Sequence, residues 1–221
     1  MKTSFKLIAL FFVVLSFTQC TKEEGETVTA SQEGSKIGSV ALTNDDLAYV
    51  PYTNGQQLVF KNALGNTQTY QVANVSTGNP RVYENGGTDS STDYYDLESR
   101  FILLQSSDYY DRSITIQLQS SPPSSFLSSS TGRAGFRLSF SAPGQESFYY
   151  DVDMDGFYFS GQNNLLPNFP SYSILGNTYN NVFLFSSTSA ISPVSPVEVY
   201  YNNVQGLVGF KNSNGELWYL Q

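Results

Sequence analysis

The heptapeptide Ser113-Ile114-Thr115-Ile116-Gln117-Leu118-Gln119 decides the fold of this chain. Ile114, Ile116 and Leu118 take every second position, and Thr115, Gln117 and Gln119 fill the places between. Successive side chains of a strand leave on opposite faces, so a period of two describes a strand with one wet face and one buried face. Gly135–Ser141 (GFRLSFS) alternates in the same way through Phe136, Leu138 and Phe140. Glu98–Ser106 lies just upstream, separated by the turn Asp108-Tyr109-Tyr110-Asp111. Further out, Gln57–Asn62 and Thr67–Asn74 flank Ala63-Leu64-Gly65-Asn66. Ser147–Asp151 and Gly156–Ser160 surround an acidic turn, and Tyr172–Leu175 and Asn181–Ser186 enclose Gly176-Asn177-Thr178. Val197–Asn202, Gly206–Lys211 and Glu216–Leu220 complete about a dozen strand signals. After the first 20 residues no window carries a helical period. The expectation is an all-β antiparallel meander, forming an open or closed barrel or a two-sheet sandwich. Ser120–Thr131 and Ser186–Pro196 are dense in Ser and Pro, and read as loops or edge crossings.

Composition narrows the chemistry. The chain has 221 residues, 40% hydrophobic and 15% aromatic, with one Cys and no His. That length suits a single domain with a sizeable core. One Cys excludes a disulfide framework, and the missing imidazole excludes the Ser-His-Asp triad and the His-ligated zinc site. A net charge of −8 and a pI of about 4.4 argue against nucleic acid as a partner, since phosphates are gripped by clustered Lys and Arg. No catalytic motif is present, so the chain does not read as an enzyme. The residual enzymatic alternative is a carboxylate-dependent glycoside chemistry, which needs two acids roughly 5–10 Å apart; Asp93, Asp96, Asp108 and Asp111 are its candidates.

The N-terminus carries an address. Lys2 and Lys6 precede the unbroken apolar run Leu7–Leu15. Spanning a bilayer takes roughly 20 apolar residues, so this run reads as the core of an export signal. The sole Cys, Cys20, follows shortly after it, then Thr21-Lys22-Glu23-Glu24. This arrangement resembles the surface-exposed lipoproteins of Bacteroidetes, uncharacterised proteins among them, in which the Cys is acylated and a Lys-acid-acid run directs export. The resemblance implies a signal peptide over 1–19, lipidation at Cys20 with palmitate among the acyl groups, an export signal at Lys22, Glu23 and Glu24, and a place on the outer membrane facing the cell exterior. The alternative is a free Cys near an ordinary cleavage site. Residues 20–39, polar and glycine-bearing, read as a lipidated flexible tether, and 40–221 as a single β domain. Without Lys2 and Lys6 the chain holds 9 basic and 19 acidic side chains. Such a body should be repelled by an anionic bilayer, and the lipid would supply the attachment.

Three patterns are candidates for function. Tyr-Tyr-Asp occurs at Tyr94-Tyr95-Asp96, Tyr109-Tyr110-Asp111 and Tyr149-Tyr150-Asp151. On a strand one Tyr of each pair turns inward and the other outward. An outward Tyr beside an Asp can stack on a sugar ring and accept its hydroxyl hydrogens; ordinary cross-strand packing is the alternative. Tyr94, Tyr95, Asp96, Tyr109, Tyr110 and Asp111 are therefore the candidate ligand residues, for a glycan or an envelope protein. Asp151-Val152-Asp153-Met154-Asp155-Gly156 copies the opening of an EF-hand loop, so Asp151, Asp153 and Asp155 are candidate calcium ligands. The twelfth position is Gln162, not Glu, and the flanks are strand-like; an acidic hairpin turn is the alternative. Last, Phe60-Lys61-Asn62-x-x-Gly65 recurs as Phe210-Lys211-Asn212-x-x-Gly215. The echo is either convergent hairpin chemistry or a duplication, with Phe inward and Gly at positive φ. Taken together the sequence predicts a surface-anchored binding lipoprotein, or an accessory or structural envelope lipoprotein without a small ligand.

Overall fold

The computed structural model describes residues 34–84, 93–108, 112–123, 134–141, 148–153, 158–159, 167–186 and 196–221. All fall in one compact unit, Glu33–Gln221. Cys20, Lys22, Glu23, Glu24, Tyr109, Tyr110, Asp111 and Asp155 lie outside the described residues. Fifteen strands are described: β1 (Lys36–Val40), β2 (Gln57–Asn62), β3 (Thr67–Gly78), β4 (Arg81–Tyr83), β5 (Tyr94–Leu97), β6 (Ser99–Ser106), β7 (Ser113–Gln119), β8 (Gly135–Ser141), β9 (Phe148–Asp153), β10 (Tyr158–Phe159), β11 (Asn168–Ile174), β12 (Asn177–Ser186), β13 (Pro196–Asn202), β14 (Gly206–Asn212) and β15 (Leu217–Leu220). The fold is all-β, as the alternation predicts.

Twelve strands form one sheet in the order β10-β9-β8-β7-β6-β3-β2-β15-β14-β13-β12-β11. It is two meanders joined where β15 pairs with β2. The sheet is rolled. Phe136 of β8 meets Phe185 of β12 at 6.0 Å and Tyr201 of β13 at 5.1 Å between ring centroids. β8 and β12 stand third and eleventh in the order, so in a flat sheet with strands about 4.8 Å apart they would lie about 38 Å from each other. Their contact brings the inner faces of both meanders into one core. Among the described residues β10 and β11 do not pair, so the roll is open rather than a closed barrel.

The inner face is the apolar phase of each strand. Ile114, Ile116 and Leu118 of β7 are buried, as are Phe136, Leu138 and Phe140 of β8. Phe60 and Phe210, the echoed pair, face each other in the core at 5.3 Å. Gly65 and Gly215 both have φ of +86°, which a Cβ would strain.

Two departures from a plain antiparallel meander matter for the site. First, β1 lies within the stretch read from composition as tether, so strand pairing reaches back to Lys36. The residues are polar, but the backbone pairs with β5, and that pairing is parallel. Second, β1, β5 and β4 make a separate three-stranded sheet, β4 and β5 being inserted in the chain between β3 and β6. Between β1 and β2 the chain makes one helical turn, α1 (Asn44–Leu47), begun by a capping box of Thr43 and Asp46. It then sends Leu42, Val50 and Tyr52 into the core. A relay fixes this segment. The Leu207 amide donates to the Tyr52 hydroxyl at 2.7 Å, Tyr52 bonds Tyr201, and Tyr201 donates to the Tyr49 carbonyl.

Candidate binding face

The small sheet holds the part of the predicted ligand set whose side chains are described. Alternation in β5 puts Tyr94 and Asp96 on one face and Tyr95 and Leu97 on the other. Leu97 is buried. Tyr95 lies over Gly38, where an added Cβ would sit 3.0 Å from its ring. The two tyrosines leave on opposite faces, but both are half-buried and neither joins the core.

The Tyr94 face is cationic and aromatic. Arg81, opposite Asp96 on β4, lays its guanidinium 4.3 Å from the Tyr94 ring centre, a favourable cation–π geometry. Tyr83 lies 5.7 Å from Tyr94, tilted at 60°, and accepts a hydrogen bond from Arg81. That bond, then Tyr94, holds the guanidinium pKa above its ordinary value. Asp96 reaches Lys36 Nζ at 2.6 Å through Oδ2 and Arg81 Nε at 3.8 Å through Oδ1. One carboxylate so ties all three strands together. Lys36 and Arg81 are about half exposed, at 45% and 55%, and their charge stands out in an acidic protein. Sequence reasoning missed Lys36, Arg81 and Tyr83. The Arg-Val-Tyr alternation after Pro80 is the only local signal for them, and it is three residues long.

The other candidate acids have backbone partners. Asp93 accepts the Ser35 amide at 3.0 Å. Asp108 accepts the Thr69 amide at 2.7 Å, capping β3 where β6 ends. Asp151 and Asp153 belong to strand β9, paired with Arg137 and Gly135 of β8. β9 thus runs two residues beyond Asp151, where the sequence reading ends that strand. Among the described residues no group of three or more His, Cys, Asp or Glu is placed to hold a metal.

A second polar cluster lies on the outer face of the C-terminal meander. Glu198 accepts the Tyr200 hydroxyl at 2.5 Å and Lys211 Nζ at 3.0 Å. Burial pushes the Glu198 carboxyl up, but these two partners outweigh it and the pKa falls below the ordinary value. Burial first, then Glu198, raises Tyr200 well above the ordinary phenol range. Tyr172 stacks on Tyr200 at 5.1 Å. On the hairpin β11–β12, whose Asn181 takes φ +53°, Ile174 and Tyr179 cluster with Tyr200 and Val208. Tyr179 donates to the Leu220 carbonyl at 2.5 Å, and burial lifts its pKa to about 12.

Comparison with protein-family models, curated proteins and solved structures finds no match to this chain.

Proposed function

We propose that this chain is a lipid-anchored outer-membrane protein facing the cell exterior, whose β domain binds an envelope glycan or protein through the Tyr94 face. The observation that carries the reading is the grouping of Tyr83, Tyr94, Arg81 and Lys36 on one outward face of the small sheet. Aromatic rings supply flat apolar area for a sugar or side chain, and the unspent guanidinium and ammonium donors supply orientation. The sequence address supports the same picture. Residues 21–35 separate Cys20 from β1, and at about 3.3–3.6 Å per residue they reach roughly 50 Å at most. β1 itself contributes Lys36, so the face stands at the tethered end of the domain, within reach of envelope components.

A second reading, a structural envelope lipoprotein with no small ligand, is favoured by one observation: both oxygens of Asp96 are already engaged by Lys36 and Arg81. The test uses the full chain on an array of purified bacterial polysaccharides and glycans. Binding that Tyr94→Ala and Arg81→Ala weaken tenfold or more supports the face. Binding that both variants retain refutes it, and no binding by the folded parent favours the structural reading. The anchor is tested apart: Cys20→Ala should move the protein to the soluble fraction, while Tyr94→Ala stays with membranes.

A further inference from the structure

The echoed hairpins are equivalent in register. Phe60 pairs with Gln68 and Phe210 with Trp218. Gly65 donates to the Asn62 carbonyl and Gly215 to the Asn212 carbonyl, at 3.1 and 2.9 Å. The equivalence runs from Val59 and Gly209 onward; just before it, β14 carries a bulge at Val208. Yet two polar groups satisfied in the first hairpin have no partner in the second.

In the first, Asn62 Oδ1 accepts the amides of Leu64 and Asn66 at 3.1 and 2.9 Å. In the second, Asn214 replaces Leu64, and its own Oδ1 takes the Glu216 amide at 2.9 Å. Asn212 Oδ1 is left with no partner. In the first, Gln68 Nε2 donates to the Tyr70 hydroxyl at 3.2 Å. In the second, Trp218 stands for Gln68 and Leu220 for Tyr70, so the indole N–H has nothing to bond. Asn212 is 6% exposed and Trp218 8%. They occupy diagonal positions on the inner face of adjacent strands. Between them in sequence, Glu216 accepts Asn62 Nδ2 at 2.6 Å through Oε1, and its other oxygen makes no bond among the described residues. Glu216 is only part-buried, so it is the member of the group that meets solvent.

We propose that Asn212, Trp218 and Glu216 form a binding site for a polyhydroxylated ligand, a sugar or polyol. An unpaired donor and an unpaired acceptor at diagonal positions of adjacent strands are together the complement of a hydroxyl, whose oxygen accepts from Trp218 Nε1–H and whose hydrogen goes to Asn212 Oδ1. A second hydroxyl of the same ligand donates to Glu216. Acceptors outnumber donors in this group, which suits a ligand rich in O–H. The site does not rest on the Tyr94 face, which follows the far end of β3, away from this turn.

Trp218 is the sole Trp of the chain, so tryptophan emission reads this site alone. The full chain is titrated with glucose, galactose, N-acetylglucosamine and mannitol. The expected result is a saturable emission change with at least one of them, unaffected by Tyr94→Ala. Asn214→Leu is the decisive variant. It sits on the exposed turn and returns the Glu216 amide to Asn212 Oδ1, as in the first hairpin, so affinity should fall about tenfold with the fold intact. Trp218→Phe, followed by calorimetry, should lose a similar factor. No saturable change with any of the four probes, as when a lone water fills the place, overturns the proposal. So does Asn214→Leu binding as tightly as the parent.

Discussion

Gly209→Ala is a sharp test of how the C-terminal meander is built. Gly209 is the counterpart of Val59 in the first hairpin, so a side chain is tolerated at that register elsewhere in the same sheet. Its φ is not positive, so an L-residue fits the backbone and any loss must be steric. A Cβ there would sit 2.6 Å from the Trp218 carbonyl oxygen and 2.9 Å from Ile174 Cδ1. The carbonyl belongs to β15 and cannot retreat without lifting that strand, whereas Ile174 can rotate. Overpacking of this kind costs about 1–3 kcal/mol, and replacing Gly in a strand returns about 0.5–1 kcal/mol of backbone entropy. The net loss should be about 1–2 kcal/mol, or roughly 2–8 °C in Tm for a domain of this size. Calorimetric or circular-dichroism melting measures it. Ile174→Val removes the Cδ1 atom, so in its presence Gly209→Ala should cost less than in the parent. Gly135→Ala is the control, because nothing lies within 4 Å of its Cβ position. Equal or higher stability of Gly209→Ala, or an equal loss in Gly135→Ala, would refute the packing of β11–β12 onto β14 and β15.

Two further outcomes are expected. Burial holds the Tyr52 and Tyr201 phenols, and that of Tyr70, above the ordinary value of 10.0, so the folded state keeps them neutral. Their stabilisation is complete below pH about 10 and is lost above it, at about 1.4 kcal/mol per pH unit for each phenol. Urea midpoints should therefore fall steeply between pH 10 and the folded pKa values, and Tyr52→Phe should flatten that fall while lowering stability at pH 7 by about 1–3 kcal/mol, because the Leu207 amide loses its acceptor. For the acidic run at Asp151, Asp153 and Asp155, calorimetry with calcium separates the two readings: binding heat and a raised Tm that Asp153→Asn removes identify an ion site, and a flat titration leaves an acidic turn.

The parts of the fold legible in sequence are those where burial alone sets the pattern. β2, β7 and β8 are read to the residue because one face is core and the other water over their whole length. The sequence signal for β3 stops at Asn74, short of Gly78, because a bulge between Val72 and Asn74 shifts the register and the period of two breaks there. β1, β4 and β5 are held by charge pairing and backbone bonds, which leave no hydrophobic period to see. The candidate face follows the same rule. Tyr94 and Asp96 are visible as an alternation within one strand. Lys36 joins them from β1 and Arg81 from β4, and nothing local to either announces the partner.

The junction of β2 with β15 shows why the echoed motif is central rather than peripheral. The middle of the sheet, β3-β2-β15-β14, is the two hairpins laid side by side in the same orientation. Their Phe side chains meet across the seam, and Asn62 reaches Glu216, 154 residues away, at 2.6 Å. Each motif residue serves a structural demand of that position. Phe fills the core, Asn closes the turn and Gly takes the positive φ. The copies differ where their surroundings differ. Val59 stands half-buried on the outer face, but Gly209 must admit Ile174 from the covering hairpin. Leu64 tips an exposed turn, but Asn214 captures an amide and so releases Asn212. Shared register explains what the hairpins keep, and the neighbours each one meets explain what they changed; the unpaired Asn212 and Trp218 groups belong to the second kind.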